Sequence, residues 1–280
     1  MSYRIKTVAA MTGIQRGTLL AWERRYDLLE PERTPSGYRL YSDDDVAILK
    51  RLKSLVDAGH PIGEAVGMIR GVQGNRSTIV NDLLEGLMKF DRTAVDKVVP
   101  EIRQLTFDQA IDDVYMPLLR LVGEAWMAGQ ASITQEHYVS GWCREQLLAM
   151  FHALGAGPVD GPTVTCALPS DELHELGVLG IAIKLALRGW RVTWLGALLP
   201  IDELCTYVER ERPRLLCVSL IRGRSEPEVL DYARELRRRA PESTLIALGG
   251  PAVATVEHFS NDSLVFAATW DALWARLPRS

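Results

Sequence analysis

Three kinds of hydrophobic spacing follow one another along the 280 residues. In the first, short helical patterns alternate with turn signals. Val8 and Met11 share one face of a short helix from Thr7, and Thr12-Gly13-Ile14 breaks it. Leu19, Leu20 and Trp22 lie along a second helix, Gln15 to Tyr26. Two helices joined by a short glycine-containing turn form a helix-turn-helix. Pro35-Ser36-Gly37 then separates two short extended runs, as in a β wing. Ser42, with Asp45 three residues on, forms a capping-box pattern that opens a helix over Val46, Leu49, Leu52 and Leu55. The polar, glycine-containing run Gly71 to Ser77 reads as a linker.

From Thr78 to about Leu154 the period is helical throughout. Leu83, Leu84 and Leu87 mark one helix, and Val95, Val98 and Ile102 a second. Ile111, Val114, Leu118, Leu121 and Val122 mark a third, and Tyr138, Trp142, Gln146 and Met150 a fourth. Four helices on short loops predict a small bundle. Gly155 to Pro162 marks another boundary. Beyond it come four apolar runs of strand length: Val164–Leu168, Arg191–Gly196, Leu215–Leu220 and Leu245–Gly250. Helix-length segments separate them, and one of these, Val178 to Leu187, carries Leu179, Ile183 and Leu187 on one face. Crossovers of that length predict a parallel sheet. Val265-Phe266-Ala267 reads as an edge strand, and Trp270 to Leu277 as a closing helix. The expected architecture is a winged helix-turn-helix over 1–72, a helical bundle over 77–157 and a flavodoxin-like α/β domain over 162–280.

Charge changes this picture at one end. The chain carries a net charge of −4, but through Ser42 it holds seven basic residues (Arg4, Lys6, Arg16, Arg24, Arg25, Arg33, Arg39). Four acidic residues (Glu23, Asp27, Glu30, Glu32) oppose them, a local surplus of three. A basic module on an acidic chain points to local nucleic-acid affinity. No apolar run approaches a membrane span and no signal pattern is present, so the cytoplasm is the expected compartment. The four cysteines (Cys143, Cys166, Cys205, Cys217) show no CxxC pairing. Two of them, Cys166 and Cys217, fall in apparent core strands.

The candidate chemistry centres on Glu172-Leu173-His174-Glu175-Leu176-Gly177, a loop between a strand and a helix. Open α/β sheets bind ligands at the carboxyl ends of their strands. A histidine there can offer one ring nitrogen to a metal while a carboxylate two residues away holds the other. Ser219 and the pair Gly249-Gly250 fall at the ends of neighbouring strands. No nucleophile elbow, P-loop or zinc ligand set occurs, so no catalytic residue is assigned and an enzyme is not expected. His60, His152 and His258 read as surface residues rather than ligands.

Two resemblances draw these features together. Residues 3–69 resemble the DNA-binding domain of the MerR regulator family. The matching residues are Trp22-Glu23-Arg24-Arg25-Tyr26, Pro31, Arg33, Gly37-Tyr38-Arg39-Leu40-Tyr41 and Asp45-Val46. That implies binding to double-stranded operator DNA, with Arg16, Arg24, Arg25, Arg33, Tyr38 and Arg39 as contact candidates. Arg24 or Arg25 could instead pair with Glu23 or Asp27. The Glu172-x-His174-x-x-Gly177 run resembles the signature of cobalamin-binding modules. There the histidine is the lower axial ligand of cobalt, a serine placed like Ser219 bonds the nucleotide tail, and a glycine pair leaves the tail room.

Trp126, followed after nine residues by Glu136-His137, resembles the bundle that caps cobalamin in the CarH, CarA and LitR group of photoreceptor repressors. The resemblance implies that these three residues meet an upper adenosyl group, with methylcobalamin as the other candidate form. Met127 departs from that group, whose light-sensing members carry a histidine that binds cobalt after photolysis. A thioether is a weaker ligand there, and the resemblance supports cobalamin binding more than a bis-histidine photoproduct. Leu173 stands where that group has an arginine at a tetramer contact. The reading is a cobalamin-controlled regulator, most simply a repressor, acting as a dimer or tetramer. Two alternatives remain: a cobalamin-independent regulator whose sheet domain binds an antirepressor protein, and a corrinoid methyl carrier.

Overall fold

The computed structural model describes residues 2–277 apart from 27, 28, 30, 35, 36, 156 and 159. At 24, 25, 70–73 and 75 it describes the backbone alone. The chain forms two compact units, Met1–Asn81 and Asp82–Ser280.

The first unit opens with β1 (Ser2–Arg4), α1 (Ile5–Thr12) and α2 (Arg16–Tyr26). The turn between the helices is closed by Gly13, whose positive φ of 67° lets its N–H reach the Ala9 carbonyl. β2 (Glu32–Arg33) and β3 (Arg39–Ser42) form the wing, and β1 pairs with β3, giving the order β1-β3-β2. The expected wing is therefore present with a third strand added. Pro35 and Ser36 of its turn lie outside the described residues. Ser42 and Asp45 make the capping box at α3 (Asp43–Asp57): Ser42 Oγ accepts from the Asp45 N–H, and Asp45 accepts from the Ser42 N–H. Val8, Ile14, Leu19, Tyr41, Val46 and Leu49 form the core.

One expectation fails here. The linker read at Gly71–Ser77 lies inside a single helix, α4 (Ile62–Met88). Each glycine costs a helix roughly 1 kcal/mol against alanine. The apolar period outweighs that: Ile69, Ile79, Val80, Leu83 and Leu87 are all buried.

In the second unit, α5 (Arg92–Ile102), α6 (Phe107–Ala110), α7 (Met116–Met127) and α8 (Ile133–Leu154) complete the bundle. The expected third helix contains one π turn, Ile111–Tyr115. Pro117 explains it: in a regular helix its ring meets the carbonyl four residues back, and a widened turn removes the clash. The buried stripe of α8 is Val139, Trp142, Cys143 and Leu147. The expected line through Tyr138, Gln146 and Met150 lies beside it, half-buried.

The sheet domain follows as β4 (Thr163–Pro169), α9 (Leu176–Leu187), β5 (Arg191–Leu199), α10 (Ile201–Glu211), β6 (Leu215–Ser219), α11 (Glu226–Arg239), β7 (Leu245–Gly249), β8 (Leu264–Ala267) and α12 (Trp270–Trp274). All pairings are parallel, in the order β5-β4-β6-β7-β8. This is the flavodoxin-like order, whose switch point falls between the first and third strands, here β4 and β6. β8 is an edge strand, as expected. β5 runs past Gly196, the expected end: Gly196 and Leu198 take positive φ (78° and 60°), and the register shifts across them. The strand bulges there rather than stopping. The closing helix stops at Trp274 instead of Leu277; beyond it the chain tightens into three-residue turns, with the Arg276 and Leu277 N–H groups donating to the Leu273 and Trp274 carbonyls.

Candidate functional site

Strand alternation decides the shape of the site. Along β6 and β7, Leu216, Val218, Ile246 and Leu248 pack on one face with α10 and α11. The opposite face carries Cys217 and Ser219 on β6, Ala247 and Gly249 on β7, and Ala267 on β8. Four small side chains and a glycine, in register across three strands, cannot fill the space beneath α9 and α12. A cavity of about 160 Å³ remains at the carboxyl ends of these strands, walled by Val178, Ile181, Trp270 and Leu273. Ser219 is buried against it. At its rim Gly250 takes φ +92°, and a Cβ there would stand 2.5 Å from the Leu220 carbonyl oxygen.

The loop after β4 carries the histidine beside this cavity. Glu172 is fully buried. One of its oxygens accepts from the backbone N–H of Leu173 (3.1 Å) and His174 (3.2 Å). The other accepts from Ile221 (3.0 Å) and Arg222 (2.8 Å), in the loop after β6. A single carboxylate therefore joins the two loops that flank the switch point. It also holds the His174 ring, with Nδ1 2.5 Å from Oε1. Burial pushes the Glu172 carboxyl up, but the Arg222 N–H, the His174 ring and the other N–H donors outweigh it. The group is held below the ordinary glutamate range. With Nδ1 engaged, Nε2 is the nitrogen left to coordinate, and the His174 side chain is 65% exposed. Gly177, in the first turn of α9, has no heavy atom within 4 Å of where a Cβ would sit, so the space above it is open.

The other candidate residues lie on the bundle. Trp126, in the last turn of α7, is 49% exposed, beside exposed Met127. Across the turn, α8 is opened by Ser132 and Gln135 in a capping box. One turn on, Glu136 accepts from the Ser140 hydroxyl (2.5 Å), and His137 is 73% exposed. Seven residues along the same face, Arg144 pairs with Glu175 (2.5 Å), next to His174. Seven residues of helix are about 10 Å. His137 thus stands that far along α8 from the point where the helix grips the histidine loop. Trp126 and Met127 at the end of α7 and Leu173 in the histidine loop are exposed large apolar residues.

A second contact joins bundle to sheet domain. Lys184 of α9 is buried, with Nζ 2.5 Å from Asp112 in the π turn. Arg188 pairs with Asp108 of α6 (3.1 Å). Both cations lie over the Trp270 ring, at 5.2 and 4.9 Å. None of this network was anticipated from sequence; Lys184 and Asp112 are 72 positions apart, and only a lysine within an apolar helix pattern hinted at it.

In the first unit Arg16 is exposed at the start of α2, and Arg33 and Tyr38 are exposed on the wing. Arg4 stacks over the Tyr38 ring at 5.3 Å. Arg39 is half-buried and paired with Glu23 (2.5 Å), which also accepts from the Tyr41 hydroxyl (2.9 Å). Glu23 therefore ties the wing to α2. The side chains of Arg24 and Arg25 lie outside the described residues, as does Asp27. His60 is half-buried, while His152 and His258 are exposed. All four cysteines are free and buried. Among the described residues no three His, Cys, Asp or Glu side chains cluster as a metal site, and no helix is long and apolar enough to cross a membrane.

Comparison with known proteins agrees with both halves. A family model described as the MerR HTH family regulatory protein matches residues 3–72. Two models, each described as a B12 binding domain, match 79–148 and 162–269. The chain is 33% identical over 294 residues to the HTH-type transcriptional repressor CarH of Myxococcus xanthus, covering 99% of this chain and 98% of that protein. It is 32% identical over 251 residues to the repressor CarA of the same organism, covering 86% and 84%. Among solved structures it is similar to the monomethylamine corrinoid protein of Methanosarcina barkeri. The TM-score is 0.55 at 15% identity, over 72% of this chain and 95% of that one; at that identity the likeness shows the fold.

Proposed function

This chain belongs to the MerR family of transcriptional regulators, among the repressors that carry B12-binding domains, and we propose that the state of a cobalamin bound in its second unit sets the affinity of its first unit for operator DNA. The observation that carries the proposal is the Glu172–His174 pair: one ring nitrogen is fixed by a buried carboxylate and the other is presented to solvent beside a cavity. That is the arrangement a metal-ligating histidine requires.

The residues present fit the group. His174 would ligate cobalt from below, Ser219 and the Gly249-Gly250 rim would receive the nucleotide tail, and Trp126, Glu136 and His137 would meet the upper ligand. We assign that ligand as adenosyl. Adenosylcobalamin, when bound, supplies a cobalt–carbon bond that light can break, which makes light the proposed signal. Met127 replaces the histidine that would trap the product. Arg16, Arg24, Arg25, Arg33, Tyr38 and Arg39 are the DNA contacts in this reading, with Arg39 needing release from Glu23 to reach a phosphate. The modules are 1–72 for DNA and 77–157 with 162–280 for the cofactor. A ligand touching two modules stabilises one arrangement of them by its differential affinity. Paired heads in a dimer or tetramer then gain DNA affinity through effective concentration. The protein catalyses no reaction in this reading.

The test is an absorption spectrum of protein reconstituted with adenosylcobalamin in the dark and dialysed, with and without His174→Ala. A nitrogen-ligated band present in the parent and lost in the variant is expected. A colourless parent would instead favour a cofactor-free regulator that answers to a partner protein. Illumination that leaves oligomer size and operator binding unchanged would remove light from the proposal.

A further inference from the structure

The cavity beside Ser219 has a composition that discriminates among corrinoids. Its sheet-side floor is Cys217, Ala247, Gly249 and Ala267, and its walls are the aliphatic groups of Val178, Ile181 and Leu273 with the indole of Trp270. Its polar side chains are few. The Thr269 hydroxyl already accepts from the Ala272 N–H (3.2 Å) as a helix cap. Cys217 lies opposite Cys166 on the neighbouring strand, and its thiol is a weak donor. The Ser219 hydroxyl makes no hydrogen bond to another described residue, and it lies at the mouth, where β6 ends. The cavity therefore offers mainly apolar surface and an aromatic wall, with the Ser219 and Thr269 hydroxyls and the Trp270 indole N–H as its side-chain donors. An apolar cavity of about 150 Å³ is large enough to hold a benzene ring; this one, at about 160 Å³ and open on one side, extends that space toward solvent.

We propose that this cavity selects corrinoids by the base of the lower nucleotide, accepting a benzimidazole and rejecting a purine. The inference rests on the cofactor reading above and adds a specificity to it. Corrinoids differ in that base. A dimethylbenzimidazole presents carbon and methyl groups along its outer ring. An adenine of similar outline presents an exocyclic amine and two further ring nitrogens there. Buried among Ala247, Ile181 and Leu273, these lose water, and the few side-chain donors of the lining (Ser219, Thr269 and the Trp270 indole N–H) cannot serve all three at once. A single unpaired buried polar group weakens binding by roughly tenfold or more. A benzimidazole asks nothing of these donors beyond one bond, whereas the purine leaves polar groups unpaired.

The experiment is a dark titration of the full-length protein, read by corrinoid absorbance, with three ligands. These are cobalamin, the analogue with adenine as lower base, and cobinamide, which lacks the nucleotide. Cobalamin is expected to bind at least tenfold more tightly than the adenine analogue, whose affinity falls toward that of cobinamide. Ala247→Ser places a hydroxyl on the floor with little added volume and is expected to narrow the gap between the two bases. Equal affinity for the two bases would overturn the inference, as would cobinamide binding as tightly as cobalamin. So would an unchanged gap in Ala247→Ser that still binds cobalamin. Failure of all three ligands to bind would overturn the cofactor reading, and this inference with it.

Discussion

Replacing Glu172 by Gln removes one charge and exchanges one oxygen for an NH₂, yet it should be among the most damaging conservative changes in the chain. The carboxylate accepts four backbone N–H bonds, two on each oxygen. A glutamine carbonyl can serve one of those pairs. Its amide nitrogen then faces the other two N–H groups, donor against donor. Each buried donor left unpaired costs about 1–3 kcal/mol. Allowing for local relaxation, the loss is about 2–5 kcal/mol, read as a shift in the denaturant midpoint of the second unit. The ring of His174 loses its anchor as well, and loss of such a partner lowers metal affinity by roughly 10- to 100-fold.

The pH dependence of the difference has a definite sign. Glu172 is held below its ordinary value of 4.5 when folded. Its contribution is therefore complete above that value and is lost as pH falls through the lower, folded one. The gap between parent and Glu172→Gln should be full at pH 7 and shrink under acid. A variant that loses less than about 1 kcal/mol at neutral pH, or a gap that widens under acid, would refute the reasoning.

Two further substitutions test other parts of the site. Asp112→Asn strands the buried Lys184 ammonium and should destabilise by about 3 kcal/mol, the low end for a broken buried pair because Asp112 is half exposed. Lys184→Met leaves only a solvated carboxylate and should cost less; equal or reversed losses in paired urea melts would contradict this. Gly250→Ala places a Cβ against the Leu220 carbonyl at positive φ and should cost roughly 1–3 kcal/mol and weaken cobalamin binding. Gly177→Ala, with open space around it, should be neutral or stabilising by up to about 1 kcal/mol. Thermal melts of the two alanine variants side by side decide the point.

What the sequence made legible follows the range of the interactions involved. Helices and strands carried by local period were readable, as were Ser42 with Asp45 and Glu172 with His174, because their partners lie two or three residues apart. The three-residue β1 was too short to show a period and exists through its pairing with β3. The run at Gly71–Ser77 has linker composition, and burial on either side overrides it. Arg39 seemed a free wing cation because its partner, Glu23, lies sixteen positions back and across the fold. The cavity was partly legible. Cys217 and Ser219, and Ala247 and Gly249, alternate with large aliphatic residues, so period two alone places the small side chains on one face. That the faces of three strands align needed the register.

The same side chains serve the cavity and the seam between bundle and sheet domain, and this gives the proposed switch a material basis. Trp270 walls the cavity and carries on its ring the two cations that pair with the bundle, Lys184 to Asp112 and Arg188 to Asp108. On the other side of the loop Arg144 of the bundle grips Glu175, one residue from His174. An occupant that displaces Trp270 or draws on His174 therefore acts on groups that hold the bundle in place. Linkage requires the reverse too: a bundle displaced from α9 releases both cations from their carboxylates and changes the cavity wall. A device of this kind needs no path through the sheet core, because the proposed ligand contacts and the docking contacts converge on α9, α12 and the loop between β4 and α9.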